Sequence, residues 1–358
     1  MRLRLFRNVS GTDLFMWLIG GSILVIVIYG SVSTLSSGRY SIENWLDFIV
    51  SGLAQGGVYA LIALGYTLVY GILLMINFAH GEVFMSGAFT AYFVAEALFD
   101  RGLFQEPSFS FRDLGGLALI VLVAAVTSVV VAVILERVAY RPLRNAPRLV
   151  PLITAIGASF FLQYTFRGLY GSGVKTYPEV AMLKGDWTIL GVSMLKIQVV
   201  IIVSALVMML GLFWFVQRTK TGKAMRAVSE DKDVAALMGV DVDRVIVITF
   251  VVGAALAGAA GVLYALLFKQ VQFFMGFIPG LKAFTAAVLG GIGNIPGAML
   301  GGLFLGLAES LGPSLFLEGI GIPAAYQLKD VIAFTMLVLV LIFRPSGILG
   351  ERLAQKKA

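Results

Sequence analysis

Cysteine is absent and histidine occurs once, at His80. A disulfide framework, a cysteine-based zinc site and an iron–sulfur cluster are therefore excluded. Charge is scarce too. Asp, Glu, Lys and Arg make up 13% of the chain, against roughly 25% in soluble domains. What fills the chain instead is apolar: 59% of the residues are hydrophobic and the mean hydropathy is +0.93. Several apolar runs exceed ~18 residues, the length of a spanning helix. They do not alternate in ~10-residue segments, as strands of a membrane barrel would. The fold class read from this is all-α, a polytopic helical membrane protein of about 8–10 segments.

The net charge of +7 does not point to nucleic acid, because the basic residues sit at the ends of apolar runs. Arg2, Arg4 and Arg7 precede the first run, Leu14–Val32. The loop 137–148 holds Arg137, Arg141, Arg144 and Arg148. The loop 217–244 holds Arg218, Lys220, Lys223, Arg226, Lys232 and Arg244, and the tail holds Arg344, Arg352, Lys356 and Lys357. Such an excess marks cytoplasmic loops, so both termini and both loops are placed in the cytoplasm of a multi-pass membrane protein. The run 14–32 reads as a retained extra helix rather than a signal peptide. It is long, and only Ser31-Val-Ser33 approximates a cleavage site.

Further segments fall at about 46–66, 67–77 and 79–99, then 114–136, 149–170, 196–216, 245–268, 280–311 and 328–343, with polar loops at 100–113 and 171–195. The orientation requires 46–99 to cross inward and return. That stretch has more apolar length than two crossings need, so a broken or re-entrant element is expected around Gly65–Met75. The same argument applies to 280–311, interrupted near Gly290-Gly-Ile-Gly-Asn-Ile-Pro-Gly297. Two Gly-rich interrupted segments in corresponding positions, each with an asparagine (Asn77, Asn294), are a pointer to a transporter's binding region.

Within Asn77-Phe-Ala-His-Gly-Glu82 lie an amide, the sole histidine, a glycine and a carboxylate. Polar groups at membrane depth need a partner, a watery cavity or a function. Asn77, His80, Gly81, Glu82 and Asn294 are therefore candidates for a substrate path or for the bracing of a helix break, with His80 a possible support for Glu82. Equally, these groups can satisfy one another with no substrate contact. The spacings Gly52-x-x-x-Gly56, Gly297-x-x-x-Gly301 and Gly302-x-x-x-Gly306 read first as close helix packing within the chain.

Residues 223–239 read as one or two short amphipathic helices in a cytoplasmic loop, with Ser229 as the cap of the second. Ala235, Leu237 and Met238 supply an apolar surface that a membrane does not require, which favours docking. No ATP site is evident. Thr221-Gly-Lys-Ala224 lacks the hydroxyl and the upstream glycine of a phosphate loop, and Gly291-Ile-Gly293 has Pro296 where a dinucleotide motif needs glycine. No catalytic cluster appears, so the chain is not read as an enzyme.

The stretch Gly52–Glu82, with Arg226–Gly239, Gly290–Gly297 and Phe343-Arg-Pro-Ser-Gly-Ile-Leu-Gly350, resembles the permease family of branched-chain amino-acid ABC importers over about 46–350. The resemblance implies one permease domain over 1–358. A second homologous permease subunit, two cytoplasmic ABC ATPase subunits and a periplasmic or extracellular substrate-binding protein would complete the importer. It implies no cofactor of the chain's own, ATP being bound by the partners, and a bacterial inner-membrane location among lipid. Such permeases dock their ATPases through Glu-Ala-Ala-x-x-x-Gly. Asp233-Val-Ala-Ala-Leu-Met-Gly239 departs from it at the first two positions. Glu230, Asp233, Ala235, Ala236, Leu237, Met238 and Gly239 are the expected ATPase-coupling residues. Relatives also carry urea or short amides, and a self-contained homo-oligomeric channel is the alternative from another class.

Overall fold

The computed structural model describes residues 11–350 apart from 145, 148, 190 and 191. In chain order its helices are α1 (Gly11–Ser37), α2 (Ile42–Leu73), α3 (His80–Asp100), α4 (Phe111–Ile134), α5 (Leu149–Tyr170), α6 (Lys196–Arg218), α7 (Lys220–Glu230), α8 (Lys232–Leu237), α9 (Val242–Phe268), α10 (Phe277–Gly290), α11 (Ile295–Gly312) and α12 (Lys329–Phe343). Among the described residues nine helical segments are long and apolar enough to cross a membrane. Helices satisfy every backbone group internally, which is why an apolar run of this length folds so in lipid. α10 has 14 residues, so it spans about 21 Å, short of the ~30 Å hydrocarbon core.

α2 is the axis of the bundle. Every residue from Gly56 to Val69 is buried. Glycine makes this possible by letting backbones touch. Gly52 and Gly56 lie against Gly306, Leu307, Gly302 and Leu303 of α11, and Gly65 lies against Gly253 of α9. Gly297 and Gly301 serve a different neighbour, the α10 backbone at Gly290 and Ala286. All three small-residue spacings thus pack within the chain. α1 is the opposite case. Leu14, Phe15, Trp17, Val25 and Tyr29 are exposed, and an exposed helix that is apolar all round is covered by lipid. It is held where Gly30 meets Phe316 and Gly319.

α2 runs unbroken through Gly65, contrary to the expected interruption over Gly65–Met75. Its glycines meet neighbouring backbones rather than ending the helix. The helix stops at Leu74, whose backbone is left-handed (φ 54°) and whose amide donates to the Tyr70 carbonyl over 2.9 Å. Residues 74–79 form the true break. The second interruption lies where the sequence puts it, between α10 and α11.

One end of the bundle carries the basic loops. A π-helical turn, Leu135–Tyr140, extends α4 there. Arg141 and Arg144 pair with Asp243 at the start of α9, and Arg144 also pairs with the fully buried Glu136. Arg2, Arg4, Arg7, Arg148, Arg352, Lys356 and Lys357 lie outside the described residues. At the opposite end, the 171–195 segment includes β1 (Lys175–Thr176) and a hairpin of β2 (Asp186–Ile189) with β3 (Val192–Leu195). β1 pairs with β4 (Gln270–Val271) just beyond α9. Glu179 binds Lys184 and Lys269 there, and these two ammonium groups hold its carboxyl down at about 2.

Candidate functional site

The break at 74–79 sets the start of α3 inside the bundle rather than at its edge. Asn77 is buried and accepts a hydrogen bond of 2.5 Å from the Tyr140 hydroxyl, which the π-helical turn after α4 delivers. His80 packs edge-on against the Tyr66 ring at 5.0 Å, with its Nε2 turned to the α2 backbone at Gly65. A Cβ on Gly65 would overlap that imidazole, so glycine at 65 is the condition for His80 to lie against α2.

Glu82 lies in the first turn of α3 and is 1% exposed. Its Oε1 accepts from Gln163 Nε2 at 2.7 Å and from the Ser159 hydroxyl at 3.2 Å, both on α5. Among the described residues its Oε2 has no hydrogen-bond partner. His80 makes no hydrogen bond to it; α5 holds this carboxylate instead. Gly81 lies against Gly276 and Gly280, which brings the first turn of α10 onto the first turn of α3. Neither helix has a side-chain cap. The starts of α3 and α10, each the positive end of its helix, therefore meet beside Glu82.

Next to this junction is a pocket of about 220 Å³, lined by Tyr66, Phe78, Ile156, Ser159, Phe160, Gly276, Phe277 and Leu281. It opens on the face of α5, where Ile153, Phe160, Phe161 and Tyr164 are exposed. Asn294 is elsewhere. It caps α11 by accepting from the Gly297 amide at 2.8 Å and donates to the Leu349 carbonyl at 2.9 Å. Ile348 and Leu349 donate in turn to the Leu289 and Gly290 carbonyls. The 290–297 and 343–350 motifs are thus one joint at the basic end, away from Glu82.

The coupling loop resolves into α7 and α8. Thr219 caps α7, and Gly222 packs on the Phe215 and Val216 carbonyls, which accounts for that glycine without a phosphate. Asp231, not Ser229, caps α8, by accepting from the Asp233 and Val234 amides at 2.9 and 3.0 Å. Ser229 turns back to the Arg226 carbonyl, as mid-helix serines do. Leu237 and Met238 are 87% and 80% exposed, and Val234 also faces out. Ala235 is buried beneath them, Ala236, Glu230 and Asp233 are exposed, and Gly239 ends the helix with φ 83°. Burial and the nearby Arg144 guanidinium lower the Lys232 ammonium below the ordinary lysine range, which places α8 beside the Arg144–Glu136–Asp243 cluster.

Sequence reading missed a second buried polar centre. Lys282 of α10 pairs with Glu309 of α11 at 2.8 Å and with Asp330 of α12 at 2.6 Å. Tyr59 of α2 donates to Glu309 Oε2 at 3.0 Å. The available signal was a lone lysine and a lone glutamate inside apolar runs, each of which needs a partner at that depth. Ser159, Gln163 and Tyr140 gave no local signal, because each acts through a residue far off in sequence.

Spanning helices with two helix starts, those of α3 and α10, meeting inside the bundle fit the architecture of a membrane permease. Residues 48–341 match the family described as branched-chain amino acid transport system / permease component, and the chain belongs to that family. It is 44% identical over 322 residues to the high-affinity branched-chain amino acid transport system permease protein BraD of Pseudomonas aeruginosa, covering 88% of this chain and 99% of that one. It is 43% identical over 328 residues to the corresponding permease protein LivH of Escherichia coli, with the same coverage. A 151-residue stretch is 31% identical to the autoinducer 2 import system permease protein LsrC of Photorhabdus laumondii, covering 38% of this chain and 41% of that protein.

Proposed function

We propose that this chain is the permease subunit of an ABC importer for branched-chain or related amino acids in the bacterial inner membrane. It works with a second related permease, two cytoplasmic ATPases that bind the ATP, and a periplasmic or extracellular binding protein. Both termini and the α7–α8 loop face the cytoplasm, as the distribution of basic residues favours. Transport is by alternating access, with the path passing the α3–α10 junction and Glu82.

The observation that carries this reading is α8. It is a six-residue helix outside the spanning segments, capped and buttressed, yet it turns Val234, Leu237 and Met238 to solvent. A stand-alone channel has no use for an exposed apolar tip held this rigidly. A protein partner does, since burying such side chains contributes about 1.5–3 kcal/mol each. Behind the tip, Arg144 links the start of α9 to the π-helical turn, and Tyr140 links that turn to Asn77 and the α3 break.

The test is Leu237→Arg combined with Met238→Arg, read by co-purification of ATPase subunits and by leucine uptake. Neither residue is buried, so the chain should still insert, while both readouts collapse. Full ATPase recovery and full uptake would remove α8 as the docking element. Wild-type chain that purifies alone and passes solute without ATP would replace the importer by a channel.

A further inference from the structure

We propose that the cavity between the start of α6, the end of α9 and the 177–185 segment binds one anionic phospholipid, with its phosphate on Lys184 and Lys269 and one acyl chain on the apolar wall beside them. The cavity lies at the end of the bundle opposite the basic loops. The proposal does not depend on which solute is transported.

Three observations carry it. The first is depth. The cavity holds about 340 Å³ and is lined by Ile197, in the first turn of α6, and by Leu266, Leu267 and Lys269 where α9 ends. Both helices are long and apolar enough to span, so these ends mark where hydrocarbon gives way to headgroups. α6 stands on the rim of the bundle, with Val203, Val207, Leu210 and Trp214 exposed along its length, and an exposed apolar flank of a spanning helix is covered by lipid. Trp187 is exposed on the β2–β3 hairpin beside the cavity, and tryptophan gathers at the headgroup level.

The second is charge. Glu179, Lys184 and Lys269 line the cavity together, and Glu179 binds each lysine through a different oxygen. The three charges sum to one positive charge. An ammonium has three N–H donors. Each lysine is seen to use one on Glu179, and the two side chains are 59% and 61% exposed. Donors therefore remain open to a second oxyanion. One carboxylate already bridges both ammonium groups, so one phosphate can bridge them as well, and a phosphodiester brings the single negative charge that neutralises the site.

The third is the wall. Val180, Leu183, Leu195, Ile197 and Leu266 make one side of the same cavity apolar. Free phosphate gains nothing from such a wall, whereas an acyl chain is buried by it. The cavity is smaller than a whole phospholipid. It takes the phosphate and the upper part of one chain, and the rest of that chain lies along α6. Seated so, the lipid ties the 177–185 segment to both helices.

The test uses the full chain, purified in detergent, stripped of lipid and titrated with phosphatidylglycerol, with bound lipid counted by native mass spectrometry. The unaltered chain should retain one phosphatidylglycerol in preference to any further ones. Lys184→Gln with Lys269→Gln should weaken that retention by roughly fivefold per lysine, the scale of one basic residue at an anionic membrane surface. Glu179→Gln keeps both ammonium groups and removes the charge that competes for them, so it should tighten retention. Leu183→Ser should weaken it.

No retained lipid on the unaltered chain would overturn the site. So would weaker retention by Glu179→Gln, or displacement of the lipid by inorganic phosphate, which would make the cavity a phosphate site. Arg112→Gln with Lys329→Gln removes the same charge near the starts of α4 and α12, elsewhere at that end. An equal loss there would reduce the effect to diffuse attraction and overturn the site as well.

Discussion

Glu82 and Glu309 are both glutamates sealed inside a membrane bundle, at 1% and 0% exposure. Their company differs. Glu309 has the Lys282 ammonium and the Tyr59 hydroxyl, and Lys282 also reaches Asp330. That set ties α2, α10, α11 and α12 together. Glu82 has two neutral donors on one helix and an oxygen left over. A buried charge with a charged partner is a strut, since removing either member strands the other. A buried carboxyl without one only joins α3 to α5. The contrast lies within one element, because α10 carries Lys282 on its body and brings its first turn to the Glu82 junction. The strut therefore fixes the helix that packs against the start of α3.

Lys282→Met should be the most damaging change. It strands Glu309 beside Asp330 with no cation and should cost about 3–5 kcal/mol, read as lost accumulation or a lowered aggregation temperature in detergent. The matching change at the other site, Glu82→Gln, keeps an acceptor for Gln163 and should shift the same temperature little. Equal shifts at both sites would break the comparison. Tyr140→Phe comes next. It leaves buried Asn77 Oδ1 without its donor, which should cost about 1–3 kcal/mol by the same measurement.

The smallest effect belongs to Glu179, where the arrangement is inverted: one carboxylate with two lysines, in water. Its folded value is depressed to about 2. Its contribution is therefore fully present above the ordinary carboxylate range and is lost only as pH falls toward that value. Proteolytic protection of the 171–195 loop should stay flat from pH 8 to about pH 5. Glu179→Gln should cost at most about 1 kcal/mol, because exposed pairs are screened. A larger loss would mean that water weakens such clasps less than the comparison assumes.

Much of this architecture was legible in the sequence. The span Leu149–Tyr170 coincides with α5, and the Gly290–Gly297 break separates α10 from α11. These features are written in local composition: apolar length, and glycine with proline at a stop. The continuity of α2 was not legible, because Gly65 looks like a breaker until His80 and Gly253 are seen against it. The cap of α8 was misplaced by two residues, since Ser229 and Asp231 are both competent and only the backbone decides between them. At the site, Asn77, His80 and Glu82 stood out because they share six residues of chain. Their true partners, Tyr140, Gly65, Ser159 and Gln163, lie on other helices, where no single-sequence pattern could place them. The Lys282 triad was hidden for the same reason.

The burial of α2 also bears on how the molecule is made. Ala60, at its centre, is covered by Gly302 of α11, yet ribosomes add only ~5–20 residues per second. The axis of the protein is therefore synthesised roughly 10–50 s before its cover. For that interval α2 lacks its α11 cover, whereas Glu82 waits only roughly 4–15 s for Ser159 and Gln163 of α5. A chaperone or the insertion machinery has reason to hold α2 until then. Damage near the end of the gene would be felt as premature clearance of the nascent protein, well before any question of transport arises.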